Sequence, residues 1–348
     1  MKSLKHSSSL VADRKTSEAV ARLDVAYIQP TELRSYLATP GVYPIALVSF
    51  GQALPSALPC PVIALDLPQI SGVPLVEVWT CDRPLQTRED AGCLVVMNGD
   101  FLVGSISLGS EPGVSLDVTT YAGYREALHR LRDLGYPYLW RAWNYFPRIN
   151  EDQDGLERYR RFCVGRYQAM TETLADFPSS LPAATAVGTR AGRFQIVFLA
   201  GTQPAMHLGN PRQLNAYEYP PDYGPRSPLF ARATFSQLES EGLLFIAGTA
   251  SVVGHASRHI GLPYEQTRET IHNVHAVLDH AKQIAGVDLS GTQPRAMYKV
   301  YVRNPDSLPE IRRALQESPL SGHQTLFLQG DLCRKELLVE IEGLLISD

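Results

Sequence analysis

The sequence predicts an α+β fold in which one mixed unit, with its helices packed on one face of its sheet, occurs twice. The first observation is the order of elements: a hairpin, a helix, a strand, a helix and a final strand can be followed twice along the 348 residues. The second is that DFLVGSISLG (100–109) and GLLFIAGTAS (242–251) occupy the same place in the two halves. Such self-similarity indicates an internal structural duplication.

The duplication divides the chain into three parts. Residues 1–20 are polar and are expected to form a flexible N-terminal tail. Residues 21–190 are expected to form an N-terminal domain and residues 191–348 a C-terminal domain.

The first half begins with a proline-rich region of loops and short strands at 40–74. A hairpin follows at 92–109, and its Asn98-Gly99 pair predicts a type I′ turn. A helix then ends at Gly135, with Leu128 and Leu131, as well as Leu134, directed inward. The remaining elements are a strand, a helix and a strand, predicted at 138–146, 155–177 and 193–201.

The second half repeats this order. A hairpin is predicted at 233–254, and a helix that ends at Gly286 follows it. A strand, a helix and two closing strands complete the unit, at 296–304, 307–318, 323–330 and 336–345. In the last strand, ELLVEIEGLL, side chains alternate with period two, so Glu340 and Glu342 share one face. The pattern fits either a solvated edge or a carboxyl group that does chemistry.

Composition excludes several classes of protein. A net charge of −4 and a pI of about 6.2 do not indicate nucleic-acid or membrane-surface binding. The polar start lacks the apolar segment of a signal peptide, and no apolar run approaches the roughly 18 residues of a membrane helix. The five cysteines are scattered, so we expect no disulfide framework and a reducing, cytoplasmic location.

Motifs for nucleotides, metals and activated nucleophiles are weak. Neither GTRAGR nor GSISLGSEPG has phosphate-loop spacing. A calcium loop that began with NEDQDG at Asn150 would have Arg161 at its twelfth position, where a glutamate is needed. Four histidines, at 255, 259, 272 and 275, lack the spacing of a ligand set. We therefore expect no metal and no cofactor.

Anion recognition is the remaining chemistry. A proline-stiffened loop contains Arg212, Tyr217 and Arg226, while Arg303 ends a strand and Arg166 lies on a long helix. Arginine binds carboxylates through two parallel hydrogen bonds, and tyrosine adds a donor on an apolar ring. The alternative is a packed Tyr-Pro surface loop with solvated arginines.

The second half resembles the YjgF-type reactive-intermediate deaminases in LLFIAGTASVVGH, QTRETIHNVHAVL and LLVEIEG. In that family the glutamate of the closing strand lies in the active site, which implies Glu340 here. Those deaminases also use an arginine on the preceding strand, and GHQTLFLQ has none.

Over about 20–348 the chain resembles the chorismatases, in YLWRAWNYFPRIN, GLERYRRFCVGR, QLNAYEYP, FIAGTASVVGH and DLCRKELLVEIEG. The resemblance implies release of pyruvate from chorismate, with Glu340 as the catalytic glutamate. Cys333 resembles the cysteine of the 3-hydroxybenzoate-forming subgroup, and Ala247 is a second position that differs between subgroups. Substrate-binding roles are implied for Tyr159 and Gly248, and for Arg166.

The implied products are pyruvate and 3-hydroxybenzoate, with some 4-hydroxybenzoate. Three rival interpretations remain: hydrolysis to a dihydroxycyclohexadiene carboxylate, a deaminase-like hydrolase of small imines, and a non-catalytic ligand-binding module. The expected partner is therefore a small molecule, with no nucleic acid and no membrane, and the expected state is a monomer or a small homo-oligomer.

Overall fold

The computed structural model describes residues 21–90, 92–109, 113–238, 241–286 and 295–347. The tail predicted at 1–20 lies outside this described part. Three main sheets make up the fold: one of four strands and two of six. No helix of the described residues combines the length and apolarity that a bilayer crossing requires.

The four-stranded sheet is formed by the first elements of the chain. Its strand order is β1-β4-β2-β3, with β2 and β3 parallel. A short helix, α1, packs against it through Leu33 and Leu37. The bounds are β1 Leu23–Ile28, α1 Leu33–Leu37, β2 Tyr43–Phe50, β3 Val62–Leu65 and β4 Val76–Cys81.

The first six-stranded sheet has the order β11-β8-β12-β7-β6-β5, and its bounds follow in chain order. They are β5 Gln86–Asp90, β6 Cys93–Met97, β7 Phe101–Leu108, α2 Leu116–Asp133, β8 Tyr138–Pro147, β9 Asp152–Gln153, β10 Leu156–Glu157, α3 Arg158–Thr173, β11 Ala183–Thr189 and β12 Phe194–Gly201. Strands β9 and β10 form a separate two-stranded hairpin before α3.

The second six-stranded sheet has the order β19-β18-β20-β15-β14-β13. Its bounds are β13 Met206–Leu208, β14 Ala233–Leu238, β15 Glu241–Ala250, β16 Val252–Val253, β17 Ala256–Ser257, α4 Pro263–Ala285, β18 Arg295–Val302, α5 Leu308–Gln316, β19 Gln324–Gln329 and β20 Val339–Ser347. Strands β16 and β17 pair only with each other. Three short 3-10 helices lie at Ala216–Glu218, Pro221–Tyr223 and Pro305–Ser307.

The predicted α+β class and the duplication are confirmed by this topology. The two six-stranded sheets match strand for strand. In each sheet the edge strand pairs with its neighbour in parallel: β11 with β8 in the first and β19 with β18 in the second. The register also matches, since Gln195 on β12 lies opposite Tyr145 and Glu340 on β20 lies opposite Tyr301. Gln195 thus occupies the place of Glu340 in the first half.

Helices cover one face of each six-stranded sheet, as predicted. Apolar residues of α2 and α3 form one core with the first sheet, and those of α4 and α5 form another with the second. The opposite faces meet the four-stranded sheet in a third core that all three sheets share. Burial of apolar area in these layers is the main stabilising contribution.

Three details differ from the sequence predictions. The hairpin at Asn98 is present, but the prediction of a type I′ turn is wrong. That turn needs positive φ at both central residues, and neither Asn98 nor Gly99 has it. Instead Asn98 Oδ1 accepts hydrogen bonds from the backbone N–H groups of Asp100 and Phe101. Strand β11 and the four-stranded sheet were not predicted as such. The chain passes from the first six-stranded sheet to the second between Gly201 and Met206, and the domain boundary at 190/191 stays a prediction.

Candidate active site

A β-bulge on β15 shapes the centre of the site. Ile246 lies opposite Gly343 and Thr249 opposite Ile341, so three steps on β15 match two on β20. The additional residue falls at Ala247-Gly248. Bulges re-aim neighbouring groups and occur beside active sites. Here the Gly248 N–H leaves the ladder and donates to Thr185 Oγ1 at 2.9 Å.

Glu340 lies on β20 next to this bulge, with 4% of its surface exposed. Burial raises the pKa of Glu340 to about 8, and the nearby Glu342 carboxylate acts in the same direction. Among the described residues, none forms a hydrogen bond or an ion pair with the Glu340 carboxyl group. A buried acid that keeps its proton near neutral pH and faces a cavity is suited to general acid catalysis.

Glu342 shares the face of Glu340 but has a different environment. It accepts from Arg141 at 2.7 Å, from Thr185 at 2.6 Å and from the Trp143 indole at 3.1 Å, and Lys299 lies at 3.0 Å. Burial alone would raise its pKa, but Lys299 and Arg141 hold the pKa of Glu342 below its ordinary value. Two carboxyl groups on one strand are therefore held in opposite states, one protonated and one ionised.

A cavity of about 330 Å³ opens in front of Glu340. A smaller inner chamber of about 40 Å³ borders the same carboxyl group. Both are lined by Tyr159, Pro228, Phe230, Gly248, Cys333 and Glu340. These six come from α3, from β15 and β20, and from the segments before β14 and β20. Asn144 on β8 and Thr185 on β11 also line the inner chamber, so the site forms where the two halves meet.

Four arginines line these spaces. Arg160, Arg232 and Arg334 border the larger cavity and Arg166 the inner chamber, and Arg160 lies 3.5 Å from the Glu157 carboxylate. Arg166 is 3% exposed and donates through Nη1 to Leu229 O, while its Nε and Nη2 find no partner in the described part of the chain. Within that part, none of the guanidinium groups of Arg166, Arg232 and Arg334 pairs with a carboxylate. A buried guanidinium without a counter-ion is a site for an anionic ligand.

Five of the predicted site residues meet here: Glu340, Cys333, Tyr159, Gly248 and Arg166. The others lie elsewhere. Ala247 is fully buried in the shared core, one residue from Gly248. Arg226 is exposed over the Tyr167 ring, and Tyr217 packs against the core below α2 and α3.

Arg212 and Arg303 do not line the cavity. Arg212 pairs with Glu269 at 2.6 Å and donates to Asn273 at 2.8 Å. Arg303 donates to the Asp331 carboxylate and to three backbone carbonyls of the 331–337 loop. Because its donors are already used, Arg303 braces the loop that presents Cys333 rather than facing the cavity.

Cys333 borders the cavity as a neutral thiol. Burial raises the pKa of Cys333 to about 12, and the neighbouring Glu340 acts in the same direction. A nucleophilic cysteine needs a lowered pKa. Cys333 therefore contributes a small apolar wall, not a thiolate.

Several lining residues were missed by the sequence predictions. Arg232 donates to the Tyr219 hydroxyl at 2.8 Å, and the Arg334 guanidinium lies 4.1 Å from the centre of the Tyr223 ring. Tyr219 and Tyr223 lie in the proline-stiffened loop, residues 209–232, for which anion recognition was predicted, and Arg232 is its last residue. No local pattern marked Arg232 or Arg334 as a lining residue. Among the described residues no group of three or more His, Cys, Asp or Glu side chains is arranged to hold a metal ion.

Comparison with known proteins decides the family. A protein from Streptomyces hygroscopicus named chorismatase is 38% identical over 280 residues, which are 77% of this chain and 78% of that protein. The chain belongs to the chorismatase family. A second relative from the same organism, named 3-hydroxybenzoate synthase, is 33% identical over 296 residues, covering 82% of this chain and 86% of the relative.

The family model and a chorismatase crystal structure agree with this assignment. The family model described as "Chorismatase FkbO/Hyg5-like, N-terminal" matches residues 77–200. A chorismatase crystal structure is 32% identical and covers 94% of this chain and 100% of its own, with a TM-score of 0.79. A YjgF/YER057c/UK114 family structure from Mycobacterium tuberculosis covers 34% of this chain and 86% of its own, at 20% identity and a TM-score of 0.27.

Proposed function

We propose that this chorismatase converts chorismate to pyruvate and 3-hydroxybenzoate, together with some 4-hydroxybenzoate, without a cofactor. One observation carries the proposal: a buried, protonated Glu340 lines the same cavity and inner chamber as arginines that pair with no protein carboxylate. Chorismate carries two carboxylates and an enolpyruvyl ether. It therefore needs both a proton donor and cationic partners.

Substrate binding would use the arginines that have no protein carboxylate as a partner. One carboxylate of chorismate would bind Arg166 in the inner chamber, and the other would lie against Arg232 and Arg334. The enolpyruvyl group then lies between them, beside Glu340, which borders both spaces. Fixed cations at both ends orient the substrate and remove it from water, and such orientation lowers the barrier substantially.

The chemical step begins when Glu340 donates its proton to the methylene carbon of the enol ether. Protonation at carbon gives an oxocarbenium ion, and the Glu340 carboxylate that remains stabilises its positive charge. For 3-hydroxybenzoate, the ring hydroxyl at C4 attacks C3 while the C3–O bond of the ether breaks, pyruvate leaves, and the hydroxyl proton passes to the Glu340 carboxylate. The resulting epoxide opens at C4, and loss of the C3 proton restores aromaticity with the oxygen on C3. For 4-hydroxybenzoate, the C3–O bond breaks without this attack and the C4 proton is lost. Glu340 exchanges its proton with solvent after the products leave.

The product depends on whether water reaches the oxocarbenium ion. Formation of 3-hydroxybenzoate and pyruvate consumes no net water, whereas the dihydroxycyclohexadiene carboxylate requires one water molecule. A held water needs two to four polar partners. The neutral thiol of Cys333 is a poor partner, which supports 3-hydroxybenzoate as the main product. A relative named 3-hydroxybenzoate synthase supports the same choice.

The setting of the reaction is proposed from composition. The scattered cysteines, all of them free, fit a reducing cytoplasm. We propose that the enzyme acts there as a monomer or small homo-oligomer on a freely diffusing substrate.

The test is chromatography of the products that purified protein forms from chorismate. The proposal predicts pyruvate and 3-hydroxybenzoate in equal amounts, corrected for the share of 4-hydroxybenzoate, and no turnover by the Glu340→Gln variant. A wild type that forms only the dihydroxycyclohexadiene carboxylate, or an active Glu340→Gln variant with a normal circular dichroism spectrum, would contradict it.

A further inference from the structure

Four buried charges form a cluster that the proposed reaction does not use. Lys299 Nζ lies 2.8 Å from Glu77 Oε2 and 3.0 Å from Glu342 Oε1, and Arg141 Nη2 lies 2.7 Å from Glu342 Oε2. Glu77 belongs to the four-stranded sheet and Arg141 to the first six-stranded sheet, while Lys299 and Glu342 belong to the second. The cluster therefore joins all three sheets in the shared core.

Such a cluster is not explained by stability alone. Removing charges from water costs several kcal/mol per ion, and buried ion pairs are often no more stable than apolar side chains of the same volume. The position of the cluster indicates another role, because Glu342 is two residues from Glu340 on the same face of β20.

A short chain of contacts connects this cluster to the acid. Thr185 Oγ1 lies 2.6 Å from Glu342 Oε2 and 2.5 Å from Arg141 Nη2, and it accepts from Gly248 N–H at 2.9 Å. Gly248 lies against the carboxyl group of Glu340, since a Cβ at this glycine would collide with Oε1. The bulge and the cluster thus share one hydroxyl group.

We propose that Glu342 is a positioning residue of the reaction: its carboxylate, kept ionised by Lys299 and Arg141, holds the catalytic proton on Glu340. This inference rests on the proposed function. The four charges sum to zero, so their effect on the proton affinity of Glu340 depends on which of them lies nearest to it. Glu342 is the member beside Glu340, whereas Glu77 lies on the far side of Lys299. An ionised neighbour disfavours a second carboxylate at short distance.

The arginines around Glu340 act against this effect, and the larger cavity is also lined by the charged side chains of Glu157, Arg160, Asp222, Lys335 and Glu336. Arg141 on β8 and Arg303, the residue after β18, lower its proton affinity, as does Arg232 before β14. From the 331–337 loop come the neutral Cys333 and the cation Arg334. From α3 come the Tyr159 phenol, whose pKa burial raises well above its ordinary value, and the cation Arg166. These fixed cations favour ionisation of Glu340. The negative charge of Glu342 opposes them and so lets Glu340 keep its proton and act as an acid.

The test compares two double variants that both lack Lys299: Glu342→Gln with Lys299→Met, and Glu77→Gln with Lys299→Met. Each removes the lysine and one of its two carboxylates, so each loses one positive and one negative charge from the same core. Both lose the two ion pairs of Lys299, and the Glu342 variant also loses the pair with Arg141. The readout is the pH at which kcat falls to half on the alkaline side. We expect this pH to drop by about one unit or more in the Glu342 variant, and to stay at the wild-type value in the Glu77 variant.

Structural damage would lower kcat at every pH without moving this midpoint. Equal shifts in both double variants, or no shift in either, would overturn the inference. If a double variant does not fold, the single changes Glu342→Gln and Glu77→Gln give the same contrast, because each leaves Lys299 with one carboxylate. A wild type that releases no pyruvate from chorismate would instead refute the proposed function.

Discussion

Gly248 lies in contact with Glu340, and its missing side chain is what lets the carboxyl group of Glu340 face the cavity. A Cβ at position 248 would collide with Glu340 Oε1 and approach Thr185 Cγ2 to 3.0 Å. The backbone of Gly248 is not in the left-handed region, so its role is the space that it leaves and not its conformational freedom.

Replacing Gly248 with alanine is therefore expected to displace the acid while the fold survives. A shift of about 1 Å at a reacting group can cost about 10²-fold in rate, and we expect a loss of that order in kcat. Gly99→Ala is the matched control, since a methyl group at Gly99 would meet no atom within 4 Å and φ is not positive there. Activity of Gly248→Ala equal to that of Gly99→Ala would contradict this contact.

Glu340→Gln is expected to stabilise the fold while it removes activity. Folding raises the pKa of Glu340 from 4.5 to about 8, so its contribution to stability is complete below pH 4.5 and is lost as the pH rises to about 8. A neutral glutamine does not incur this loss. We expect a free energy of unfolding about 1–3 kcal/mol higher than wild type at pH 7 and no gain at pH 4. Urea unfolding at both pH values measures this difference, and an equal effect at the two would contradict the raised pKa.

Arg166→Met is expected to raise KM for chorismate by about 30-fold or more, because a buried charged hydrogen-bonded pair is worth about 2–5 kcal/mol. The matched control is Arg226→Met, since Arg226 is exposed and lies over Tyr167 outside the cavity. Steady-state kinetics of both variants would show whether unpaired donors in the inner chamber bind the substrate. An unchanged KM in Arg166→Met would assign that arginine a structural role.

Cys333→Ala is expected to change the products. The smaller side chain leaves room for a water near the oxocarbenium ion, which should shift flux from 3-hydroxybenzoate toward the dihydroxycyclohexadiene carboxylate. The control is Cys60→Ala, since Cys60 packs against the separate core beneath α1. If product ratios are the same in wild type and Cys333→Ala, the branch point is set elsewhere, and Ala247 beside the bulge is the next position to test.

Local patterns in the sequence predicted those parts of the structure that depend on period and spacing. The alternation in ELLVEIEGLL placed Glu340 and Glu342 on one face, and the order of elements gave the duplicated unit. The same patterns could not predict which carboxylate stays protonated. That difference arises because Lys299 and Arg141 reach Glu342 from other strands, one of them in the other half of the chain.

The anion site was predicted only in part for the same reason. Arginine side chains were identified by type, but whether a guanidinium faces a ligand depends on the acceptors around it. Arg303 and Arg212 are satisfied by protein groups, whereas Arg166 keeps two donors without a partner among the described residues. Arg232 and Arg334 come from segments about a hundred residues apart, and only the tertiary fold brings them together.

The central claim is that Glu340 delivers a proton to the enol methylene carbon and so releases pyruvate. Turnover of chorismate in D₂O, followed by NMR of the pyruvate methyl group at early times, tests it most directly. The account predicts one deuterium in each methyl group formed by the wild type, and no pyruvate from Glu340→Gln. Unlabelled pyruvate incubated with the enzyme in D₂O corrects for exchange after release. Pyruvate formed without deuterium, or formed by Glu340→Gln at the wild-type rate, would contradict it.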